Sequence, residues 1–145
     1  MEGKSMITTK EYDYIMKLKK EFEENDQIIL NKKWSRNIVA IDTKDTFILD
    51  YNIGTIKLEK YTYNKRYRNT IILLRFDSFG RHTNPDGKVF DGPHVHIYRE
   101  NYGDKYAYNV SEIGINTDMG KSDVLEKFLQ YCNVVNCPII ESTLF

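Results

Sequence analysis

The sequence predicts an α+β fold: an antiparallel sheet of about five to seven strands, run as a meander, with an N-terminal and a C-terminal helix packed on one face. Three observations predict it. Helical periodicity occurs near the two ends of the chain, with short β-rich runs between them. Short polar turns separate those runs and leave no room for crossover helices. The eleven tyrosines and seven phenylalanines fall largely in alternating patterns, as half-buried strands require.

The first helix lies in TTKEYDYIMKLKKEFEEN, where Thr8 is the N-cap, Glu11 completes a capping box, and Ile15, Leu18 and Phe22 form the apolar stripe. From Gln27 the runs QIILNKKW, RNIVAID, TFILDYNI, TIKLEKYTYNKRYRN and TIILLRFDS read as strands, with breaks at residues 43–45 and at Gly54. Fifteen residues then connect Ser78 to the strand HVHIYRE, a length associated with functional or mobile loops. Inside that connection Asn84-Pro85-Asp86-Gly87 has the composition of a tight turn, so Asp86 is a turn residue rather than a catalyst. SDVLEKFLQYCN, from near Ser122, is the second helix, with Val124, Leu125, Phe128, Leu129 and Cys132 as its stripe and Pro138 beyond it. The closing IIESTLF reads as an edge strand. Without repeats, low-complexity segments or a linker, residues 1–145 form a single domain.

Composition excludes several classes. Twenty-one basic residues balance twenty-one acidic ones, so no whole-molecule field draws the chain to nucleic acid or to a membrane. No apolar run approaches the roughly 20 residues that span a bilayer, and no membrane partner is expected. MEGKSMITTKEYDY lacks the apolar segment of a signal peptide, which predicts a cytoplasmic protein. Cys132 and Cys137 fit neither a CxxC redox pair nor a zinc knuckle and read as reduced packing residues.

The chemistry concentrates in one window. All three histidines, His82, His94 and His96, fall between Arg81 and Ala107, among Asp86, Glu100, Asp104, Arg99 and Lys105. Alternation puts His94, His96, Tyr98 and Glu100 on one face of HVHIYRE, with Val95 and Ile97 toward the core. In TIILLRFDS it separates Ile72, Leu74 and Phe76 from Leu73, Arg75 and Asp77. If the two segments pair, Arg75 and Asp77 lie beside the histidines, with Arg81 and His82 folding over from the loop.

Three readings of this face stay open. In the leading one it is a metal-independent, ribonuclease-like site of a nuclease or toxin: His94, His96 and His82 exchange protons, Arg75 or Arg81 stabilises developing charge, Tyr98 assists, and Asp77 and Glu100 orient the imidazoles. That reading needs no cofactor. In the second, H-x-H directs both imidazoles at one divalent metal, with His82, Asp77 or Glu100 as a third ligand. In the third the imidazoles are structural, hydrogen-bonded across the sheet and to loop carbonyls.

A second feature concerns partners. KLEKYTYNKRYR, residues 57–68, interleaves Lys60, Lys65, Arg66 and Arg68 with tyrosines, as binding of single-stranded RNA or DNA requires. With Arg81 these are the expected nucleic-acid contacts. The competing reading is a solvated strand whose charges guard a sheet edge. A non-catalytic module binding a host or partner protein is the alternative to an enzyme.

The run RFDSFGRHTNPDGKVFDGPHVHIYRENYGDKYA, with TYNKRYRNTIILL before it and FLQYCNVVNCPII after it, resembles an uncharacterised family, a domain of unknown function, of small proteins from Gram-positive bacteria, their phages and mobile elements. The chain departs from that pattern at Asn101, where glycine is usual, and at Tyr106, where tryptophan is usual. The resemblance implies a site in this run and assigns it no activity.

Overall fold

The computed structural model describes residues 6–54, 61–68 and 70–141. Helix α1 (Thr9–Lys17) begins as its sequence predicts: Thr8 Oγ1 accepts from the Glu11 amide, and the Glu11 carboxylate accepts from the Thr8 amide. It stops earlier than expected. Leu18 turns extended at the C-cap, and the stretch predicted to continue the helix becomes strand β1 (Lys20–Phe22). Strand pairing on both sides overrides helical periodicity here, and Phe22 enters the core from the sheet.

Strands β2 (Trp34–Ala40), β3 (Thr46–Ile53), β4 (Tyr61–Tyr67) and β5 (Ile71–Asp77) form the antiparallel meander. Residues 27–33, expected as strand, contribute an isolated bridge from Ile28 to Ile140, while Ile28 and Leu30 bury their side chains. After β5 the long connection folds into a separate hairpin, β6 (Arg81–Thr83) with β7 (Val89–Asp91). Its turn is the predicted one. Gly87 takes φ +94° and donates to the Asn84 carbonyl at 2.8 Å.

Strand β8 (His94–Ile97) returns to β5, followed by β9 (Ala107–Tyr108), a 3-10 turn (Val110–Ile113), helix α2 (Lys121–Tyr131) and β10 (Val134–Asn136). Among the described residues the main sheet has eight strands in the order β10-β1-β2-β3-β4-β5-β8-β9. Among its described strand pairs, β1 and β10 run parallel and the others antiparallel. This is the expected α+β architecture. None of the described helices is long and apolar enough to cross a membrane.

The two faces of the sheet differ. Phe47, Leu49, Tyr51, Tyr63, Leu74, Phe76 and Val95 form a buried cluster with Tyr12 and Ile15 of α1 and Val124, Leu125, Phe128 and Leu129 of α2. Tyr63 joins the layers: its ring lies 5.9 Å from that of Phe128 and its hydroxyl donates to the Lys121 carbonyl at 2.9 Å. By alternation Asp50, Arg66, Arg75, Asp77, His94 and His96 occupy the other face.

One bulge interrupts the alternation. Lys65 pairs with Leu74 but Arg66 pairs with Ile72, which leaves Leu73 as the extra residue of β5. Leu73, expected on the Arg75 face, is buried in the core. Its carbonyl accepts from the Tyr98 amide at 3.1 Å and from the Tyr12 hydroxyl at 3.4 Å, so the bulge ties β5 to helix α1.

Candidate functional site

Antiparallel register brings the polar residues of β5 and β8 face to face: Arg75 lies opposite His96, and Asp77 opposite His94. Gly92, at φ +93°, shapes the entry to β8 and donates to the Gly80 carbonyl at 2.8 Å. The β6–β7 hairpin brings His82 over the pair, with ring centroids 4.6 Å from His96 and 6.0 Å from His94. Thus all three histidines meet.

Each imidazole is held at one nitrogen by a backbone carbonyl. His94 Nδ1 is 2.8 Å from the Gly92 oxygen, His96 Nδ1 is 2.8 Å from the Asp104 oxygen, and His82 Nε2 is 2.7 Å from the Lys105 oxygen. A carbonyl only accepts, so each of those nitrogens carries the proton. For His94 and His96 this leaves Nε2 as the atom directed at Asp77, whose Oδ2 lies 3.3 Å from both.

Arg75 lies on the same atoms. Its Nη2 donates to His96 Nε2 at 2.9 Å and its Nη1 to Asp104 Oδ2 at 3.2 Å. A guanidinium cannot accept, so His96 Nε2 is the acceptor there. Arg75 Nε is 3.3 Å from Asp77 Oδ2, yet it is buried without a hydrogen-bond partner.

The electrostatics follow from these contacts. Burial pushes the Asp77 carboxyl up, but the hydrogen bond from His94, the adjacent His96 imidazole and the Arg75 charge outweigh it and hold the group well below the usual carboxylate range. His94 is shifted upward, first by its hydrogen bond to Asp77, with burial opposing and the Gly92 carbonyl adding to the rise. His94 and His96 are only 3 % and 1 % exposed. They form the floor of the site, while Asp77, Arg75 and Asp104 reach its surface.

Two residues expected on this face are elsewhere. β8 ends at Ile97, and Tyr98 turns toward α1, where its ring stacks on Tyr12 and its hydroxyl accepts from the Ile7 amide and donates to the Ile7 carbonyl, both at 2.7 Å. Glu100 accepts from the Thr9 amide at 2.8 Å and from the Thr9 hydroxyl at 3.0 Å, at the N-terminus of α1. Glu100→Ala is expected to lower stability by about 1 kcal/mol, read from a urea midpoint, without changing the histidine cluster.

Among the described residues, the expected nucleic-acid contacts do not form one surface. Strand β4 lies between β3 and β5 rather than at an edge, and Tyr63, Lys65 and Tyr67 point into the core. Arg66 makes a two-pronged pair with Asp50, at 2.6 and 3.1 Å. Arg68 is exposed over the Tyr67 ring and Arg81 is exposed on the hairpin. Lys60 lies outside the described residues.

Other supports were not singled out from sequence. The carbonyls of Gly92, Asp104 and Lys105 anchor the rings, and a main-chain oxygen has no residue signature. Asn84 was read only as a turn residue. It is buried, donates to the Ala107 carbonyl at 3.0 Å and accepts from the Ala107 amide at 2.8 Å, fastening the hairpin to β9. Asn84→Ala strands both groups and is expected to cost about 1–3 kcal/mol, measured by denaturant unfolding.

The arrangement can bind a cation. Asp77, His94 and His96 each offer one ligand atom, and these atoms lie within 4.8 Å of one another. The 3.3 Å separations from Asp77 Oδ2 to each imidazole match the edge, about 3.3–3.4 Å, of a tetrahedron with bonds of about 2.0–2.1 Å.

No curated protein and no solved structure matches the chain. Residues 7–134 match the family of unknown function DUF6978, most of the length and the whole histidine site included, and the chain therefore belongs to that family.

Proposed function

We propose that the protein binds a divalent transition-metal ion through Asp77, His94 and His96. The observation that carries this reading is the anchoring of both Nδ1 atoms on backbone carbonyls, which directs both Nε2 atoms at one carboxylate oxygen. Metal-bound histidines are oriented this way, by a hydrogen bond from the distal nitrogen. Arg75 occupies the cationic position beside these donors and has a second carboxylate, Asp104, to turn to when a metal enters. Two imidazoles and a carboxylate suit zinc and its first-row neighbours.

The metal reading displaces the imidazole-only ribonuclease as the leading account. Proton exchange with a substrate needs His94 and His96 open to it, and both are buried with each ring nitrogen facing a partner. Three protein ligands leave a coordination position for water, as in hydrolytic zinc sites. Metal-dependent phosphodiester hydrolysis is the form in which a nuclease remains compatible with this site. A non-catalytic binding module has less support from residues 61–68, because the alternate aromatic and basic side chains there are buried. A setting in bacteria, phages or mobile elements, implied by the resemblance, is compatible with either activity.

Titration of the metal-stripped protein with Zn(II) in a calorimeter is the test. One ion per chain is expected, with affinity lost in His94→Ala/His96→Ala and weakened on acidification as protons compete for the ligands. A folded wild type that takes up no metal ends this reading. Incubation of the loaded protein with mixed single-stranded RNA and DNA, with and without chelator, then separates a metal enzyme from a metal-stabilised module.

A further inference from the structure

Arg75 turns one edge of its guanidinium to the site. Its Nη2 donates to His96 Nε2 at 2.9 Å and its Nε faces Asp77 Oδ2 at 3.3 Å, while Nη1 donates to Asp104 Oδ2 at 3.2 Å. Nε and Nη2 together make a fork whose two N–H bonds match two oxygens of a single anion. Arg66 shows that match in the same sheet, where its Nε and Nη2 reach the two oxygens of Asp50 at 2.6 and 3.1 Å.

The Arg75 fork is poorly matched. It faces a ring nitrogen of β8 and a carboxylate oxygen of β5, and among the described residues its buried Nε has no hydrogen-bond partner. A buried donor left unmade carries a desolvation cost and calls for a cause.

The cause lies in what the fork faces. His96 and Asp77 both belong to the candidate metal set. The one lone pair of His96 Nε2 cannot accept from Arg75 and bind an ion at the same time. Metal entry therefore takes the fork's one hydrogen-bond acceptor, while Nη1 keeps Asp104. With 31 % of its side chain exposed, Arg75 stands at the surface of the site, where a ligand can reach the released fork.

We propose, resting on the metal reading above, that metal loading turns Arg75 into an oxyanion clamp for a terminal phosphate: Nε and Nη2 hold two of its oxygens and the third completes the coordination of the ion. The class follows from the oxygen count. Ion and fork together take three oxygens on one centre, which a phosphomonoester offers and a carboxylate does not. An internal phosphodiester has only two unesterified oxygens, so the clamp selects a strand end or a small phosphate ester over the middle of a nucleic-acid chain.

The test is calorimetry on the full-length chain, titrated first with Zn(II) and then with methylphosphonate, which has three such oxygens. Zinc-loaded wild type is expected to bind methylphosphonate about tenfold or more tighter than metal-free protein does, and to prefer it to acetate and to dimethyl phosphate by a similar factor. Arg75→Leu is expected to bind zinc about tenfold tighter, because a competing cation leaves His96, and methylphosphonate about tenfold weaker. Those effects have opposite signs, whereas damage to the fold would weaken both. Arg75→Lys keeps the charge without the fork and serves if the leucine variant does not fold; it is expected to lose methylphosphonate by about tenfold and to retain zinc. Zinc uptake with methylphosphonate bound equally well without metal, bound no better than dimethyl phosphate, or indifferent to both Arg75 variants overturns the clamp and leaves the metal site standing. A folded wild type that takes up no zinc overturns both.

Discussion

Lys65→Met is expected to raise the stability of the protein by about 2–4 kcal/mol at neutral pH, an increase in the urea midpoint with little change in slope. Most core substitutions destabilise, so the sign is diagnostic. Lys65 brings an ionisable group into the core beside a second lysine, and its Nζ has no hydrogen-bond partner. Methionine keeps an unbranched chain over Phe47 and removes the amine.

The same pair sets an unusual pH dependence. Burial and the neighbouring Lys65 lower the Lys20 pKa to about 7, although its three carbonyl partners favour the cation. Lys65 is also lowered, chiefly by burial. In the unfolded chain both remain protonated to about pH 10. Above about pH 7 the unfolded state therefore binds more protons at Lys20, and stability rises with pH by up to about 1.4 kcal/mol per unit, with the lowered Lys65 acting in the same direction. From about pH 8.5 Cys132, and from about pH 10 Tyr12, whose pKa values burial raises, oppose the trend because they ionise only on unfolding. Unfolding curves at pH 7, 8 and 9 should show the rise in the wild type and a shallower one in Lys65→Met. A flat wild-type profile would show that the lysines do not titrate within the fold.

This pair also marks where the sequence was least legible. In YTYNKRYR both alternating sets contain polar residues, so periodicity alone could not say which faced the core. A lysine at the inward position, between Tyr63 and Tyr67, read as a surface cation. The histidine face was legible for the opposite reason. Val95 on β8 and Leu74 and Phe76 on β5 are unmistakably apolar, which fixed the outward sets as His94 with His96 and Arg75 with Asp77. Tyr98 and Glu100 followed the same alternation on paper but lie past the end of β8, where the Leu73 bulge and helix α1 redirect the chain.

Asp77→Asn is expected to have the largest effect at the histidine face. It preserves shape while removing the carboxylate that faces His94, His96 and Arg75. The loss leaves the partly exposed Arg75 guanidinium with Asp104 alone and the buried His94 imidazole without its carboxylate partner, which should cost about 3–5 kcal/mol in metal-free protein. A zinc titration separates that structural loss from the proposed function. At a free ion concentration near one hundred times Kd, the wild type should gain about 2.7 kcal/mol from binding to the folded state alone, and Asp77→Asn should gain little. If both proteins respond equally to zinc, the ion binds elsewhere and Asp77 serves only to neutralise the imidazoles. If the wild type gains and the variant does not, the carboxylate is the ligand that turns two anchored histidines into a metal site.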